Sequence, residues 1–120
     1  ERFERAQKAK EVPPDEVHGL PAAAGVAEGP ARVVLSTDEF DQVKPGEIMV
    51  CQMTNPAWVV VFSKIKGVVT DTGGVLCHTA VVAREFGIPG VVGTGDATHR
   101  ITTGARVRVN GNTGLVEILR

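Results

Sequence analysis

The side chain best placed for chemistry is His78. It stands shortly after a paired glycine, Gly73-Gly74, and at the start of a helical pattern. Ahead of the glycines, Gly67-Val68-Val69-Thr70 is an apolar run of strand character. Behind the histidine, Thr79 to Phe86 sets Ala80, Val81, Val82 and Ala83 beside polar Arg84 and Glu85, and Gly87 ends the helix. His78 therefore belongs to a strand–glycine loop–helix junction. The first N–H groups of a helix have no acceptor inside it, and the helix dipole leaves partial positive charge there. Glycines let the backbone approach a ligand closely. Together they suit a phosphate. The same field disfavours an imidazolium, so a neutral, nucleophilic imidazole is expected. Such an imidazole, beside donors that hold an oxyanion, can accept a phosphoryl group. A buried histidine that merely caps the helix is the alternative that residue types leave open.

Other groups offer less. The two cysteines, Cys51 and Cys77, read as free thiols in a chain with no secretory signal. Zinc takes about four ligands, and His18 and His99 fit no ligand spacing with either cysteine, so no metal site is expected. A general-base hydrolase pairing His78 with Cys77 or Asp71 is a rival. Neighbouring residues point in different directions, which makes Cys77 and His78 a poor nucleophile–base pair. Thr54 admits two readings, a hydroxyl lining the active surface at a strand end or a helix-entry residue.

The surrounding chain supplies the elements that hold these residues. Residues 1–17 read as a linker or the end of a preceding helix: a charged, alanine-rich stretch followed by Pro13-Pro14. The folded domain is assigned to residues 18–120. Ala22 to Gly25 and Gly29 to Leu35 look extended, with Arg32 facing solvent. Ser36 with Glu39 makes a capping box for a short helix ending near Val43. Lys44 to Glu47 is a turn, and Ile48 to Cys51 a buried strand. Asn55 as N-cap and Pro56 at the first helical position start a helix running to about Ile65. Beyond the central stretch, Asp96 to Arg100 is a turn or short helical piece. Ala105 to Val109 and Leu115 to Leu119 form a hairpin across Asn110 to Gly114, with Arg106 and Arg108 on one solvated face. The result is a compact α/β domain: a small curved sheet or barrel-like layer with helices packed on it.

Composition bounds the partners. The chain has 120 residues, 42% hydrophobic and 22% charged, with a formal net charge of −1. That is one ordinary globular domain able to bury its own core. The charge gives no reason to expect nucleic acid or an anionic membrane surface. Four Phe, one Trp and no Tyr make a base-stacking surface poor. No apolar run approaches the ~20 residues of a membrane span, and the charged N-terminus is no signal peptide.

The quoted motifs, in their order, resemble the phosphohistidine (swivelling, or mobile) domain of the phosphoenolpyruvate-utilising enzymes. That group includes pyruvate phosphate dikinase, phosphoenolpyruvate synthase, enzyme I of the sugar phosphotransferase system, rifampicin phosphotransferase and phenylphosphate synthase. The resemblance covers about Gly19 to Leu119. It is carried by Gly25 and Gly29, Lys44 to Ile48, Thr54-Asn55-Pro56 with Trp58, Gly73-Gly74, His78, Ala83 to Glu85, Gly87-Ile88-Pro89, Val92 to Thr94, Gly104 and the final hairpin. It implies a compact swivelling β/β/α fold, with His78 as the phosphorylated residue. It implies that His78 takes phosphate from ATP, or phosphoenolpyruvate, in a partner domain and passes it to pyruvate, water or a hydroxyl acceptor. Gly73, Gly74 and Thr79 would hold the transferred group, and Arg84 and Thr54 would contact phosphates presented by the partner. No cofactor is expected on this domain, since ATP and Mg²⁺ belong to the partner nucleotide-binding domain or subunit. A second partner would bind the acceptor or phosphoenolpyruvate, and the setting would be cytoplasmic. Leu76 departs from the pattern, because many members carry Thr, Ser or Asn two residues before the histidine. A non-catalytic docking module that keeps the fold is the alternative.

Overall fold

A computed structural model describes residues 15–35, 37–54 and 59–119, without the side chains of 37, 38 and 40. The described strands are β1 (Glu16–His18), β2 (Leu20–Ala23), β3 (Val26–Val34), β4 (Ile48–Cys51), β5 (Gly67–Thr70), β6 (Gly90–Val92), β7 (Arg106–Asn110) and β8 (Leu115–Leu119). The α-helices are α1 (Val59–Phe62), α2 (His78–Phe86) and α3 (Ala97–Arg100). The strands join in the order β1-β8-β7-β3-β4-β5-β6-β2.

β3 belongs to two halves of this sheet. Its first part pairs antiparallel with β7, Gly29 opposite Val107. Its last part pairs parallel with β4, Val33 opposite Val50. The two halves face each other across one core, in which Val17, Val107, Val109, Val116 and Ile118 meet Ile48, Val50, Val69 and Val91. A second core lies on the other face of the parallel half. There Met49, Cys51 and Val68 pack with Val61, Phe62, Val82 and Ala83 from α1 and α2. The layers are thus β/β/α, as expected.

The alternation explains why β4 and β5 read as unbroken apolar runs. Side chains alternate between strand faces, so Ile48 and Val50 enter one core while Met49 and Cys51 enter the other. All four residues of each strand are buried. Parallel strands covered on both faces have this signature.

Four local expectations change. β1 starts at Glu16 and pairs with β8, so the sheet takes in residues just ahead of the assigned domain start. The capping-box segment winds as a 3-10 helix over Thr37–Gln42. Ser36 lies outside the described residues, and Glu39 Oε1 accepts the Leu35 amide at 2.7 Å. The helix expected to reach Ile65 ends at Phe62, and its proposed start, Asn55 to Trp58, lies outside the described residues. Arg32 is not a free solvent residue. Its guanidinium binds both carboxylate oxygens of Glu47, at 3.1 and 2.9 Å.

Candidate functional site

The site is built at the carboxyl ends of the parallel strands, where loops of such sheets meet their ligands. β4 delivers Gln52 to Thr54, β5 delivers Asp71 to Gly74, and β6 delivers Gly93 to Gly95. Backbone bonds carry the ladder past the strands. Thr72 donates to Gln52 O at 3.0 Å, Gly93 to Thr72 O at 3.3 Å and Gly95 to Asp71 O at 2.8 Å. These loops and the start of α2 enclose a cleft of about 140 Å³ lined by Met53, Thr54, Thr72, Gly73, Cys77, His78 and Thr79. A larger hollow of about 390 Å³ lies by β1 and the β7–β8 turn. There His18 and Glu16 already bond to each other at 3.0 Å, so the smaller cleft holds the better chemistry.

His78 is the first residue of α2 and is half-buried. It does not cap the helix. The N-cap is Cys77, whose side chain makes no capping bond, and the helical ladder begins with Val81 N–H to Cys77 O at 3.1 Å. The first-turn amides are thus left without a side-chain cap, which is the arrangement an anion can use. Gly87 closes the helix in the left-handed region, φ 70°.

The imidazole is oriented from across the sheet. His78 Nδ1 lies 2.9 Å from Thr54 Oγ1, and Thr54 Oγ1 lies 2.5 Å from Thr79 Oγ1. Thr54 and Thr79 are buried, at 6% and 3% exposure. Nε2 has no hydrogen-bond partner among the described residues. Thr54 therefore links the ring's Nδ1 to the Thr79 hydroxyl. Chain distance hid this pairing, and the one signal was a hydroxyl just past the end of a buried strand.

The glycines differ from one another. Gly73 has φ +104°, and a Cβ there would stand 2.8 Å from Cys77 Sγ. Gly93 has φ +68°, and its Cβ would meet Gly73 O at 2.8 Å. Gly74 has neither constraint; its carbonyl accepts the Cys77 amide at 3.0 Å. Arg84 ties the loop down. Its Nε donates to Ala22 O at 2.8 Å, and its guanidinium also donates to Val75 O. Leu76, the residue that departs from the family pattern, is 85% exposed, and Met53 is 63% exposed.

The rival pairings with His78 are absent among the described residues. Asp71 is turned to α3, accepting from Thr98 N at 2.9 Å and Thr98 Oγ1 at 2.6 Å. Burial, with the Asp71 charge nearby, pushes the Cys51 thiol up to about 12, so it is inert as a nucleophile. No three His, Cys, Asp or Glu side chains converge as a metal set among the described residues.

Residues 43–114 match the family model described as PEP-utilising enzyme, mobile domain. The chain belongs to that family. It is 44% identical over 112 residues to a rifampicin phosphotransferase of Bacillus cereus, covering 93% of this chain and 13% of that protein. It is 41% identical over 122 residues to a phosphoenolpyruvate synthase of Aeropyrum pernix, covering 93% of this chain and 15% of that protein. The chain thus spans a small part of the length of these relatives. A solution structure of Enzyme I matches 66% of this chain and 33% of its own, at 30% identity and a TM-score of 0.58. The mobile-domain match takes in Thr54, Gly73, Gly74, His78, Thr79 and Arg84 together. Among the described residues no helix is long and apolar enough to cross a membrane.

Proposed function

We propose that this mobile domain carries a phosphoryl group on His78 Nε2 between partner domains of a phosphotransferase. The observation that supports it is the Thr54 hydroxyl on Nδ1. Imidazole has one proton to place on two nitrogens. When Nδ1–H donates to Thr54, the Nε2 lone pair is free to attack phosphorus. The N–P bond forms as the P–O bond to the leaving group breaks, and the leaving oxygen takes that electron pair. Gly73, Gly74 and the first amides of α2 are the proposed holders of the phosphoryl oxygens, while the buried Thr79 hydroxyl, expected beside them, is taken up by Thr54.

The donor is ATP, attacked at its β-phosphorus in a nucleotide-binding partner that also holds Mg²⁺. AMP leaves with the bond's electron pair, and water or inorganic phosphate then takes the γ-phosphoryl group, so that the β-phosphoryl group remains on Nε2. The acceptor is pyruvate, water or a hydroxyl compound in a second partner. Relatives named rifampicin phosphotransferase and phosphoenolpyruvate synthase support a small-molecule acceptor. Arg84 and Thr54 are proposed to act at the partner's phosphates indirectly. Arg84 holds the Val75 loop and Thr54 holds the imidazole. The setting is the cytoplasm, where ATP is supplied.

The test is phosphate incorporation into the full-length protein from ATP labelled separately at the β and γ positions. Wild type takes up an acid-labile, base-stable label, and His78→Ala takes up none. Absence of label, with the nucleotide partner active, leaves a docking module as the better account.

A further inference from the structure

We infer that Thr79 is a positioning residue for His78, acting through Thr54 and not on phosphate. The inference rests on the phosphohistidine reading above. Thr54 has one hydroxyl proton and two close neighbours, His78 Nδ1 at 2.9 Å and Thr79 Oγ1 at 2.5 Å. Both hydroxyls are buried, and buried polar groups resolve their bonds within the protein. Two arrangements are open to the Thr54 proton. Given to Nδ1, it forces the ring's own proton onto Nε2, and the attacking lone pair is lost. Given to Thr79 Oγ1, it leaves the Thr54 oxygen to accept from Nδ1–H, and Nε2 stays free.

Thr79 is the acceptor that makes the second arrangement possible. No other described acceptor lies within hydrogen-bond distance of Thr54 Oγ1. The same arrangement serves the phosphorylated state. Once Nε2 bonds to phosphorus the ring keeps its proton on Nδ1 and gains positive charge, and the Thr54 oxygen already faces that N–H. No proton has to leave the ring during the transfer. Thr79 reaches this role from the second position of α2, so one helical turn supplies both the nucleophile and the group that sets its tautomer.

The experiment is a double-mutant cycle in the full-length protein, with single-turnover phosphorylation of His78 by MgATP labelled at both the β and γ phosphorus. Thr79→Val removes the acceptor and keeps the branched shape. It is expected to slow phosphorylation about tenfold, the size of one lost hydrogen bond, and Thr79→Ser restores the rate. Thr54→Val slows it at least as much, and the Thr54→Val/Thr79→Val double variant is no slower than Thr54→Val alone. Multiplying losses in the double variant would mean that Thr79 acts independently of Thr54, and would overturn the inference. So would a wild-type rate in Thr79→Val, or failure of Thr79→Ser to restore it. Should the valine variant not fold, Thr79→Ala takes its place in the cycle. A wild-type protein that takes no label on His78 would instead defeat the phosphohistidine reading itself.

Discussion

The two halves of the sheet share β3 and solve opposite problems. In the antiparallel half, β7 returns directly as β8 through a four-residue turn, and the turn is consumed by its own bonds. Asn110 Oδ1 accepts the amides of Asn112 and Thr113, at 2.9 and 3.2 Å. In the parallel half each strand must cross over before the next begins. The chain leaves β4, β5 and β6 at the same edge, and those three exits build the cleft around His78. Closure in one half and open strand ends in the other come from strand direction alone. A change in the closed half should therefore cost stability, and a change at the open edge should cost transfer.

The largest expected effect is on the closed half. A Cβ on Gly111 would fall 1.7 Å from Ala23 O, against backbone that cannot step aside. Gly111 also donates to Gly25 O at 2.7 Å. Gly111→Ala is expected to destabilise by about 4 kcal/mol, at the upper end for a point change, as read by urea denaturation. Protein that remains folded should still label on His78. A folded, fully stable variant that had lost labelling would break the separation of the two halves.

At the open edge the ordering reverses. Gly73→Ala places a side chain at φ +104° and against Cys77 Sγ. The strain is about 1–3 kcal/mol, and the loop relieves it by moving Cys77 and with it the first residue of α2. Labelling of His78 should fall by more than stability does. Gly74→Ala, with open space around its Cβ, should change stability by no more than about 0.5 kcal/mol. Equal destabilisation by the two glycine changes would show that the loop has no preferred path.

How far the sequence foretold this follows from the same contrast. His78, Gly73 and the Gly87 helix end were legible because strand, glycine loop and helix follow one another in the chain. The β7–β8 hairpin was legible for the same reason. Thr54 remained ambiguous, because its partner is 24 residues away and only the parallel register of β4 with β5 and the α2 packing bring them together. β1 was missed, since Glu16–His18 is too short to carry a period and is a strand only by pairing with β8. Arg84, in the last turn of α2, was expected at a partner's phosphates through the family resemblance alone. Its backbone partners, Ala22 and Val75, are chosen by how β2 lies along α2. Local order was written in local residues, and the site's orientation was written in register.

One chemistry has different worth in the two halves. Glu47, in the parallel half, and Glu28, in the antiparallel half, each bind arginine. Glu47 is nearly buried, with Arg32 on both its oxygens and the Lys44 amide on Oε1 at 2.8 Å. Burial alone would raise its pKa, yet the Arg32 and Lys44 bonds hold it below the usual 4.5. Glu28 is also held below 4.5, first by its bond to Arg106, but stands in solvent. A carboxylate with a depressed folded pKa lends stability above its unfolded pKa and loses it as the pH falls through the folded value. Glu47→Gln should therefore cost about 2 kcal/mol at pH 7, the worth of a charged bond to a buried group, and progressively less as the pH falls below 4.5. Glu28→Gln should leave the urea midpoint unmoved at either pH, because water and salt screen an exposed pair. A Glu28→Gln loss equal to that of Glu47→Gln would mean that the charged ladder of Glu28, Arg106, Arg108 and Glu117 acts as a network. The antiparallel half would then be held by its surface as well as by its turn.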